Sequence, residues 1–257
     1  MVVAGIDIGA ITTKVVLMNE QKIESYVVIK SRVGINQNAR ECFEQVLQNS
    51  GYKRKEVTSI VATGYGRINI PFAHKCVTEI TCHAKGAHWL NPAVRTIIDI
   101  GGQDSKVISI SESGQVIDFM MNDKCAAGTG RFLEVMAQAL EVALEDLGEL
   151  SLQSKKKVHI SSMCTVFAES EVISLIADGY RKEDIIHGLH ESITNRIYSM
   201  VVRLPVTDVI ALTGGVAKNK GIILSFKKKI KKKLYLPPEP QIVGAIGAAL
   251  IAHDLAK

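Results

Sequence analysis

The sequence predicts a duplicated α/β fold with two domains around a cleft, and two observations support this prediction. The tetrapeptide Ile-Asp-Ile-Gly occurs twice, at residues 6–9 and 98–101. Each copy follows an apolar, β-branched run and precedes a polar turn, a lysine and a second strand-like run. Two strand–turn–strand units in one chain of 257 residues indicate two related halves.

The pattern of apolar residues predicts the individual elements. Strands are expected at residues 2–6, 14–17, 23–29, 96–98, 106–108, 115–119 and 208–212. Helical periodicity predicts a helix at residues 39–49 and one of about five turns that carries Phe132, Met136 and Leu140. Three further helices are expected: one that stops at Asp178-Gly179, one that begins near Lys182, and a small-residue helix at 244–253.

The Asn91-Pro92 pair marks a domain boundary near residues 91–94. The first domain is therefore predicted at residues 1–93, with residues 244–257 packing back on it, and the second domain at residues 94–243.

Composition and charge exclude several classes of protein. No apolar run approaches the roughly 20 residues of a membrane span, and the first residues do not resemble a signal peptide, so a cytoplasmic protein without membrane contact is expected. The chain has a net charge of +5, of which six lysines between residues 227 and 233 supply +6, so the remainder carries −1. This basicity is local and does not indicate nucleic-acid binding. Five irregularly spaced cysteines indicate neither a disulfide framework nor a zinc knuckle.

The Asp-Ile-Gly turns have the chemistry of a phosphate site. Asp7 lies at the end of a buried strand, where it could hold Mg²⁺ directly or through water. Gly9 would let the backbone approach a phosphate, the following N–H groups would bind the anion, and Lys14 would add positive charge.

The second copy continues as Gly101-Gly102-Gln103-Asp104. Gln103 could orient an attacking water, and Asp104 could act as a second carboxylate beside the metal or as a base. A third glycine turn, Leu-Thr-Gly-Gly-Val-Ala-Lys-Asn at residues 212–219, would let a nucleoside lie against bare backbone. Neither a Rossmann nor a P-loop fingerprint is present.

These three turns resemble the phosphate-1, phosphate-2 and adenosine motifs of the acetate and sugar kinase, Hsc70 and actin superfamily. The resemblance implies an actin-like (ribonuclease H-like) fold that binds ATP or ADP with Mg²⁺. One departure is that Ala10 and Ile11 follow the first glycine where relatives carry Ser or Thr, and hydroxyls come later at Thr12 and Thr13. The expected nucleotide-binding residues are Asp7, Gly9, Thr12, Thr13, Lys14, Gly101, Gly102, Gln103, Gly214, Gly215, Lys218, Asn219 and Gln241; Gln103 and Asp104 are the expected catalytic residues, and Asp7 and Asp104 lie on the Mg²⁺ side.

Two cysteines precede predicted helices. Cys125 lies in Lys-Cys-Ala-Ala-Gly-Thr-Gly-Arg-Phe at residues 124–132, and Cys164 in Met-Cys-Thr-Val-Phe-Ala-Glu-Ser at residues 163–170. A helix N-terminus favours a thiolate or an anionic cluster. An iron–sulfur cluster needs four thiolates, which two chains of a twofold dimer could supply, but the spacing by itself favours two buried or helix-capping thiols.

Both strings resemble the activator (reductase) components of 2-hydroxyacyl-CoA dehydratases. This family also includes benzoyl-CoA reductase ATPase subunits and reductases of double-cubane-cluster proteins. The resemblance implies a homodimer in which Cys125 and Cys164 of both subunits hold one [4Fe–4S] cluster. It further implies that ferredoxin or flavodoxin reduces the cluster, that ATP changes the angle between the halves of each subunit, and that one electron passes to a partner iron–sulfur reductase or dehydratase.

Two other functions fit the same turns. A sugar or amino-sugar kinase of this fold could use Asp104 as its base, and an ATP-gated chaperone-like or filament module is less compatible with the length of the chain. The other cysteines, Cys42, Cys76 and Cys82, are expected to be structural, although Cys76 and Cys82 cluster loosely with His74 and His83. The lysine run is expected to form the solvated end of a helix, because Phe226, Ile230 and Leu234 recur every four residues, or to dock an acidic partner.

Overall fold

The computed structural model describes residues 1–161, 164–205 and 209–257. The first sheet has the strand order β3-β2-β1-β4-β5. Strand β1 pairs antiparallel with β2 and parallel with β4. The elements of this part of the chain are β1 Val2–Ile8, β2 Thr12–Asn19, β3 Lys22–Lys30, α1 Ile35–Ser50, β4 Val57–Thr63, β5 Lys75–Cys76 and α2 Glu79–Leu90.

The second sheet repeats the first. Its strand order is β10-β9-β6-β7-β8, which matches the first sheet strand for strand when read from the opposite edge. The remaining elements are β6 Thr96–Ile100, β7 Ser105–Ile110, β8 Val116–Asn122, α3 Gly130–Ala139, α4 Leu147–Leu152, α5 Thr165–Ala177, α6 Lys182–Val201, β9 Val209–Thr213, α7 Lys220–Lys229, β10 Lys233–Tyr235 and α8 Val243–Leu255. The duplication predicted from the repeated tetrapeptide is therefore confirmed at the level of strand order.

Inter-residue contacts divide the chain into two compact units. One contains residues Met1–Ile97, Ile108–Phe119 and Pro237–Lys257, and the other contains Ile98–Val107 and Met120–Leu236. The domain limits expected from the sequence, 1–93 with 244–257 and 94–243, stay a prediction. The α/β class itself is confirmed by two mixed sheets covered by helices.

Strand β1 sorts its side chains between two cores. Ala4, Ile6 and Ile8 pack toward α1, whereas Val3 lies in the cluster formed with α2 and α8. The other alternate positions on that second face are Gly5 and Asp7, so the carboxylate at the end of β1 projects toward α8. This alternation places Asp7 near the C-terminal end of β1, on the face that packs against α8.

Three expectations need correction or fall outside the description. Helix α3 has ten residues, fewer than the five turns expected, because the chain turns at Glu141, whose φ is +52°. Helix α7 ends at Lys229, so Leu234 lies in β10 and does not continue a helical stripe. Asp208, expected to begin a strand, lies outside the described residues, and β9 is described from Val209.

No helix in the described part of the chain combines the length and the apolar character needed to cross a bilayer.

We predict that Gly5→Ala destabilises the protein strongly. A Cβ at this position would lie 2.0 Å from the carbonyl oxygen of Ala245 and 2.3 Å from the nitrogen of Ala249, so α8 would have to move away from β1. Overpacking of this kind costs about 2 kcal/mol or more of the free energy of unfolding, measurable by urea denaturation.

The matched control is Gly51→Ala. Nothing lies within 4 Å of a Cβ at position 51, whose φ is +77°, so its cost is limited to backbone strain of about 1 kcal/mol. Equal destabilisation by the two substitutions would contradict the close approach of α8 to β1.

Candidate functional site

The first glycine turn joins β1 to β2 beside a buried ion pair. The N–H of Gly9 donates to the carbonyl oxygen of Thr12 at 3.0 Å, which closes the turn. Lys14 Nζ lies 3.2 Å from Asp7 Oδ2, and both side chains are largely buried. A Cβ at position 9 would lie only 3.1 Å from Lys14 Nζ, so glycine allows the lysine to lie against the turn.

The second turn, between β6 and β7, has the same construction. The N–H of Gly101 donates to the carbonyl oxygen of Asp104 at 2.9 Å. Lys106 Nζ lies 3.5 Å from Asp99 Oδ2 and 2.8 Å from Asp104 Oδ1, and its side chain is only 1% exposed. Asp99 and Lys106 are seven positions apart, as are Asp7 and Lys14.

Each turn leaves two adjacent N–H groups available. Among the described residues, no backbone acceptor binds the N–H groups of the two central residues of either turn. These residues are Ala10 and Ile11 in the first turn and Gly102 and Gln103 in the second. Successive unbonded N–H groups form the concavity that binds anions in phosphate sites. Within the described part of the chain, both turns therefore present two successive N–H groups without a backbone acceptor, and the side chain of Gln103 is exposed beside those of the second turn.

Ser31, which follows β3, contacts the first turn, and the sequence did not predict this contact. Its Oγ donates to the carbonyl oxygen of Gly9 at 3.1 Å and lies 3.0 Å from Thr13 Oγ1. Thr13 is fully buried, so its hydroxyl supports the turn from below through Ser31. Thr12 is half-buried at the first position of β2.

Asp7 is enclosed by glycines on neighbouring elements. A Cβ at Gly64 would lie 2.5 Å from Asp7 Oδ1, and one at Gly244 would lie 3.2 Å from Asp7 Oδ2. The same Gly244 Cβ would lie 3.0 Å from His83 Nε2, so His83 on α2 also borders this carboxylate. No sequence pattern connects Gly64, Gly244 or His83 with Asp7, because all three are distant from it along the chain.

The third glycine turn lies against the second. Thr213 Oγ1 at the end of β9 donates to Asp99 Oδ1 at 2.8 Å. Gly214 has a φ of +88°, and a Cβ there would lie 2.3 Å from the carbonyl oxygen of Ile100. Adjacent strands β6 and β9 thus bring the second and third turns together, which the spacing along the chain could not establish. Thr213 is an additional site residue whose role follows from this contact.

The third turn continues into a cap for α7. Asn219 Oδ1 accepts a hydrogen bond from the N–H of Ile222 at 3.1 Å, and Asn219 Nδ2 lies 3.3 Å from His190 Nε2. His190 on α6 is fully buried. Burial, followed by the nearby His187, lowers the pKa of His190 from 6.5 to about 3. The neutral ring therefore accepts from the Asn219 amide and fixes its orientation at the end of the turn.

The other residues expected to bind the nucleotide lie in two short 3₁₀ helices. Gly215 and Lys218 lie in the 3₁₀ helix Gly215–Lys218, where Lys218 is exposed. Gln241 lies in the short 3₁₀ helix Pro240–Ile242, where its N–H donates to Glu239 Oε1 at 3.1 Å.

Cys125 lies in a loop that is held at both ends. Asn122 Nδ2 donates to the carbonyl oxygens of Cys125 at 2.9 Å and of Ala127 at 3.0 Å. Thr129 Oγ1 donates to the carbonyl oxygen of Ala126 at 2.7 Å. Cys125 is half-buried against the core of its unit.

The Cys125 loop runs directly into the second glycine turn. The first two N–H groups of α3 donate to this turn: Gly130 N–H donates to the carbonyl oxygen of Gly101 at 2.8 Å, and Arg131 N–H to that of Gly102 at 2.8 Å. Gly130, which is hydrogen-bonded to the turn, is only five positions after Cys125. Two hydrogen bonds therefore tie the start of α3 to the position of this turn.

Cys164 is exposed at the N-terminal end of α5, where its carbonyl oxygen accepts from the N–H of Ala168 at 2.9 Å. Helix α5 contacts α3. It also exposes an unusually apolar surface, formed by Val166, Phe167, Ile173 and Ile176. Ser162 and Met163 of the same motif lie outside the described residues.

The other cysteines behave as structural thiols or lie alone. Burial raises the pKa of both Cys42 and Cys82 to about 12, so both stay protonated. Cys76 is exposed, and its thiol donates to the carbonyl oxygen of Arg67 at 3.1 Å. In the described ranges no three His, Cys, Asp or Glu side chains are grouped to hold a metal ion, which includes the loose cluster around Cys76 and Cys82.

We predict that His190 makes the free energy of unfolding fall as the pH is lowered. The unfolded chain binds a proton on His190 below pH 6.5, whereas the folded protein resists it down to about pH 3. The contribution of neutral His190 to the free energy of unfolding is therefore fully present above pH 6.5, and below it the free energy of unfolding falls by up to about 1.4 kcal/mol per pH unit.

Urea denaturation between pH 6.5 and about pH 5 measures this slope. His190→Gln, which keeps an acceptor for Asn219, should flatten the slope by about one proton. His159→Gln, at an exposed histidine, is the control and should leave the slope unchanged. Identical slopes in wild type and His190→Gln would contradict the assignment of a neutral, buried ring.

Comparison with known proteins agrees with this geometry. The model of the BadF/BadG/BcrA/BcrD ATPase family matches residues 4–252. The chain is 45% identical to a 2-hydroxyisocaproyl-CoA dehydratase activator from Clostridioides difficile, over 100% of this chain and 97% of that protein. It is 43% identical to an (R)-2-hydroxyglutaryl-CoA dehydratase activating ATPase from Acidaminococcus fermentans, over 98% and 97% of the two chains.

Among solved structures, the activator of the 2-hydroxyisocaproyl-CoA dehydratase from Clostridium difficile with bound ADPNP superimposes with a TM-score of 0.95 at 43% identity, covering 100% of this chain and 96% of that chain. The similar structures share the two-domain actin-like ATPase fold. The chain belongs to the BadF/BadG/BcrA/BcrD ATPase family, together with activators of 2-hydroxyacyl-CoA dehydratases.

Proposed function

We propose that this chain is an ATP-dependent electron donor. It would act as a homodimer with one [4Fe–4S] cluster between the subunits and couple ATP hydrolysis to one-electron transfer. The acceptor would be a partner iron–sulfur enzyme, either a 2-hydroxyacyl-CoA dehydratase or a double-cubane-cluster protein, and ferredoxin or flavodoxin would supply the electron. The observation that carries the proposal is the pair of hydrogen bonds between the start of α3, just after Cys125, and the glycine turn at Gly101 and Gly102.

The donor set fits a cluster shared by two chains. Each chain offers two candidate thiols ahead of helices, Cys125 before α3 and Cys164 before α5. A [4Fe–4S] cluster is ligated by four thiolates, so a second copy of the chain would complete the set. The exposed apolar surface of α5 next to Cys164 fits an interface with that copy, because such a patch is otherwise costly to leave in water.

The start of α5 would stabilise the cluster electrostatically. Cys164 is the N-cap of α5, whose N-terminal end carries partial positive charge, which favours the thiolate form and the negative charge of the bound group. When bound, the cluster would supply a site that accepts and releases one electron.

The glycine turns would bind the nucleotide. The N–H groups of Ala10, Ile11, Gly102 and Gln103 would hold phosphate oxygens, and Lys14 would neutralise their charge. Asp7 and Asp104 would ligate Mg²⁺, a hard cation that prefers carboxylate oxygens and water. Gly214 and Gly215 would lie against the nucleoside, and Gln103 would orient the attacking water.

Hydrolysis would be transmitted within one unit. A change of phosphate charge beside Gly101 and Gly102 would shift the position of this turn. The carbonyl groups of these two residues accept hydrogen bonds from the N–H groups of Gly130 and Arg131, so the start of α3 would move with the turn. The start of α3 and the Cys125 loop would respond together, since the loop is rigid between Asn122 and Thr129. ATP can drive this response only if it binds the two conformations with different affinity.

The first experiment tests the cluster. In anaerobically purified protein, Cys125→Ser or Cys164→Ser should abolish the brown absorbance and the iron content, whereas ATP binding should persist because the turns are untouched. Cys76→Ser is the control at an exposed cysteine and should retain the iron.

Four iron atoms per dimer in both variants would rule out these ligands. A colourless wild-type protein that phosphorylates a sugar would instead establish the alternative, a small-molecule kinase with Asp104 as its base.

The second experiment tests the water-positioning role of Gln103. We expect Gln103→Ala to lower the rate of ATP hydrolysis by about 100-fold at unchanged ATP affinity, because positioning acts on the attacking water and not on binding. Gln115→Ala, at an exposed glutamine in a turn, should leave the rate unchanged. An unaltered rate in Gln103→Ala would remove Gln103 from the mechanism.

A further inference from the structure

A basic patch interrupts the charge balance of the second unit. We define it as the five exposed lysines at the end of α7 and the start of β10: Lys227, Lys228, Lys231, Lys232 and Lys233. Because α7 ends at Lys229, the patch continues from a helix into extended chain and covers more surface than one helical face would. Lysines protect exposed edge strands from pairing, and β10 is an edge, but this explains Lys233 and not the two lysines on the helix.

Several other basic residues of this unit form ion pairs with carboxylates. Lys220 in the first turn of α7 pairs with Glu149, Arg131 pairs with Glu134, and Arg181 pairs with Glu183. Among the described residues, Lys227, Lys228, Lys231 and Lys233 have no such partner. Outside these five lysines the charges of the chain sum to zero, so the patch accounts for its whole net charge of +5.

Lys229, which lies between the lysines of the patch in sequence, connects this segment to α6, the helix that packs on the Cys125 loop. Lys229 bonds Asn195 on α6 and lies 5.6 Å from the ring centroid of Tyr198. The next residue, Arg196, packs against Gly128, where a Cβ would lie 3.0 Å from Arg196 Cδ. Gly128 is three residues from Cys125, a span of at most about 11 Å of extended chain.

A cavity of about 580 Å³ lies beside the same residues. It is lined by Asn122, Ala127 and Gly128 of the Cys125 loop and by Asn195 and Arg196 of α6. The cavity therefore adjoins both the backbone that holds Cys125 and the residue to which Lys229 bonds.

We propose that the basic patch is the docking surface for a small acidic electron-carrier protein, which places the carrier's redox centre over the cavity beside the Cys125 loop. This inference rests on the proposed function, since it names the partner of the same thiols. In the docked complex the carrier is oxidised by one electron, and the cluster held by Cys125 and Cys164 is reduced by one; no atom or proton is transferred. Complementary charge accelerates such encounters by about 10 to 10³-fold and is screened by salt.

The experiment compares two triple charge reversals of the full-length, iron-loaded protein. The patch variant carries Lys227→Glu, Lys228→Glu and Lys231→Glu. The control carries Lys22→Glu, Lys53→Glu and Lys55→Glu, the same change of net charge at exposed lysines of the other unit. Stopped-flow absorbance follows the reduction by a reduced acidic ferredoxin at low and high ionic strength.

We expect the patch variant to be reduced at least tenfold more slowly than wild type at low ionic strength and to lose the salt dependence, while the control retains both. Ti(III) citrate, a small reductant, should reduce all three proteins at equal rates. If it reduces the patch variant slowly, the comparison is repeated with Lys→Gln at the same positions, which halves the charge change. Equal ferredoxin rates for the patch variant and the control would overturn the proposal.

Direct binding separates this inference from the proposed function. A wild-type protein without iron would refute the proposed function, yet salt-sensitive ferredoxin binding in biolayer interferometry that is lost only in the patch variant would still support the docking surface. Duplex DNA is the competing probe. Binding of DNA through these lysines, without ferredoxin binding, would overturn the proposal in favour of a nucleic-acid surface.

Discussion

A buried lysine held by two carboxylates is the interaction on which the candidate site depends. Lys106 contacts Asp99 and Asp104, and Asp99 accepts in turn from Thr213. An ammonium group at 1% exposure is tolerated only when it is paired, and breaking such a pair costs about 3 to 5 kcal/mol. The pair therefore fixes β6, β7 and β9 at one place, and the second and third glycine turns with them. Asp7 and Lys14 repeat the device in the first sheet.

The second consequence of this anchoring is mechanical. The carbonyl groups of a turn held by a buried ion pair accept from the N–H groups of Gly130 and Arg131, so α3 begins at a defined position relative to the second glycine turn. Asn122 and Thr129 hold the Cys125 loop by hydrogen bonds to its carbonyl groups. Short hydrogen bonds thus link the turn to the segment that follows Cys125.

Burial separates two of the five cysteines from the others. Cys42 and Cys82 lie in apolar cores that raise their pKa values and keep them protonated, whereas Cys125 is half-buried in the loop before α3 and Cys164 is exposed at the N-terminus of α5. The glycine turns alone would suit many phosphate-binding proteins of this fold, because a fold hosts several functions. Cys125 and Cys164 are the reason for proposing redox chemistry for this chain.

The sequence by itself determined the duplicated α/β fold, the three glycine turns and the position of Cys164 ahead of a helix, because repeats, periodicity and turn residues are local signals. It overestimated α3 and the helical stripe through Leu234, since the backbone turn at Glu141 and the β pairing of Leu234 are decided by tertiary packing. Only the tertiary structure connected Thr213 to Asp99, Gly244 to Asp7, His190 to Asn219 and α3 to the second turn. These contacts join residues far apart in the chain, and a one-dimensional pattern contains no distance between them.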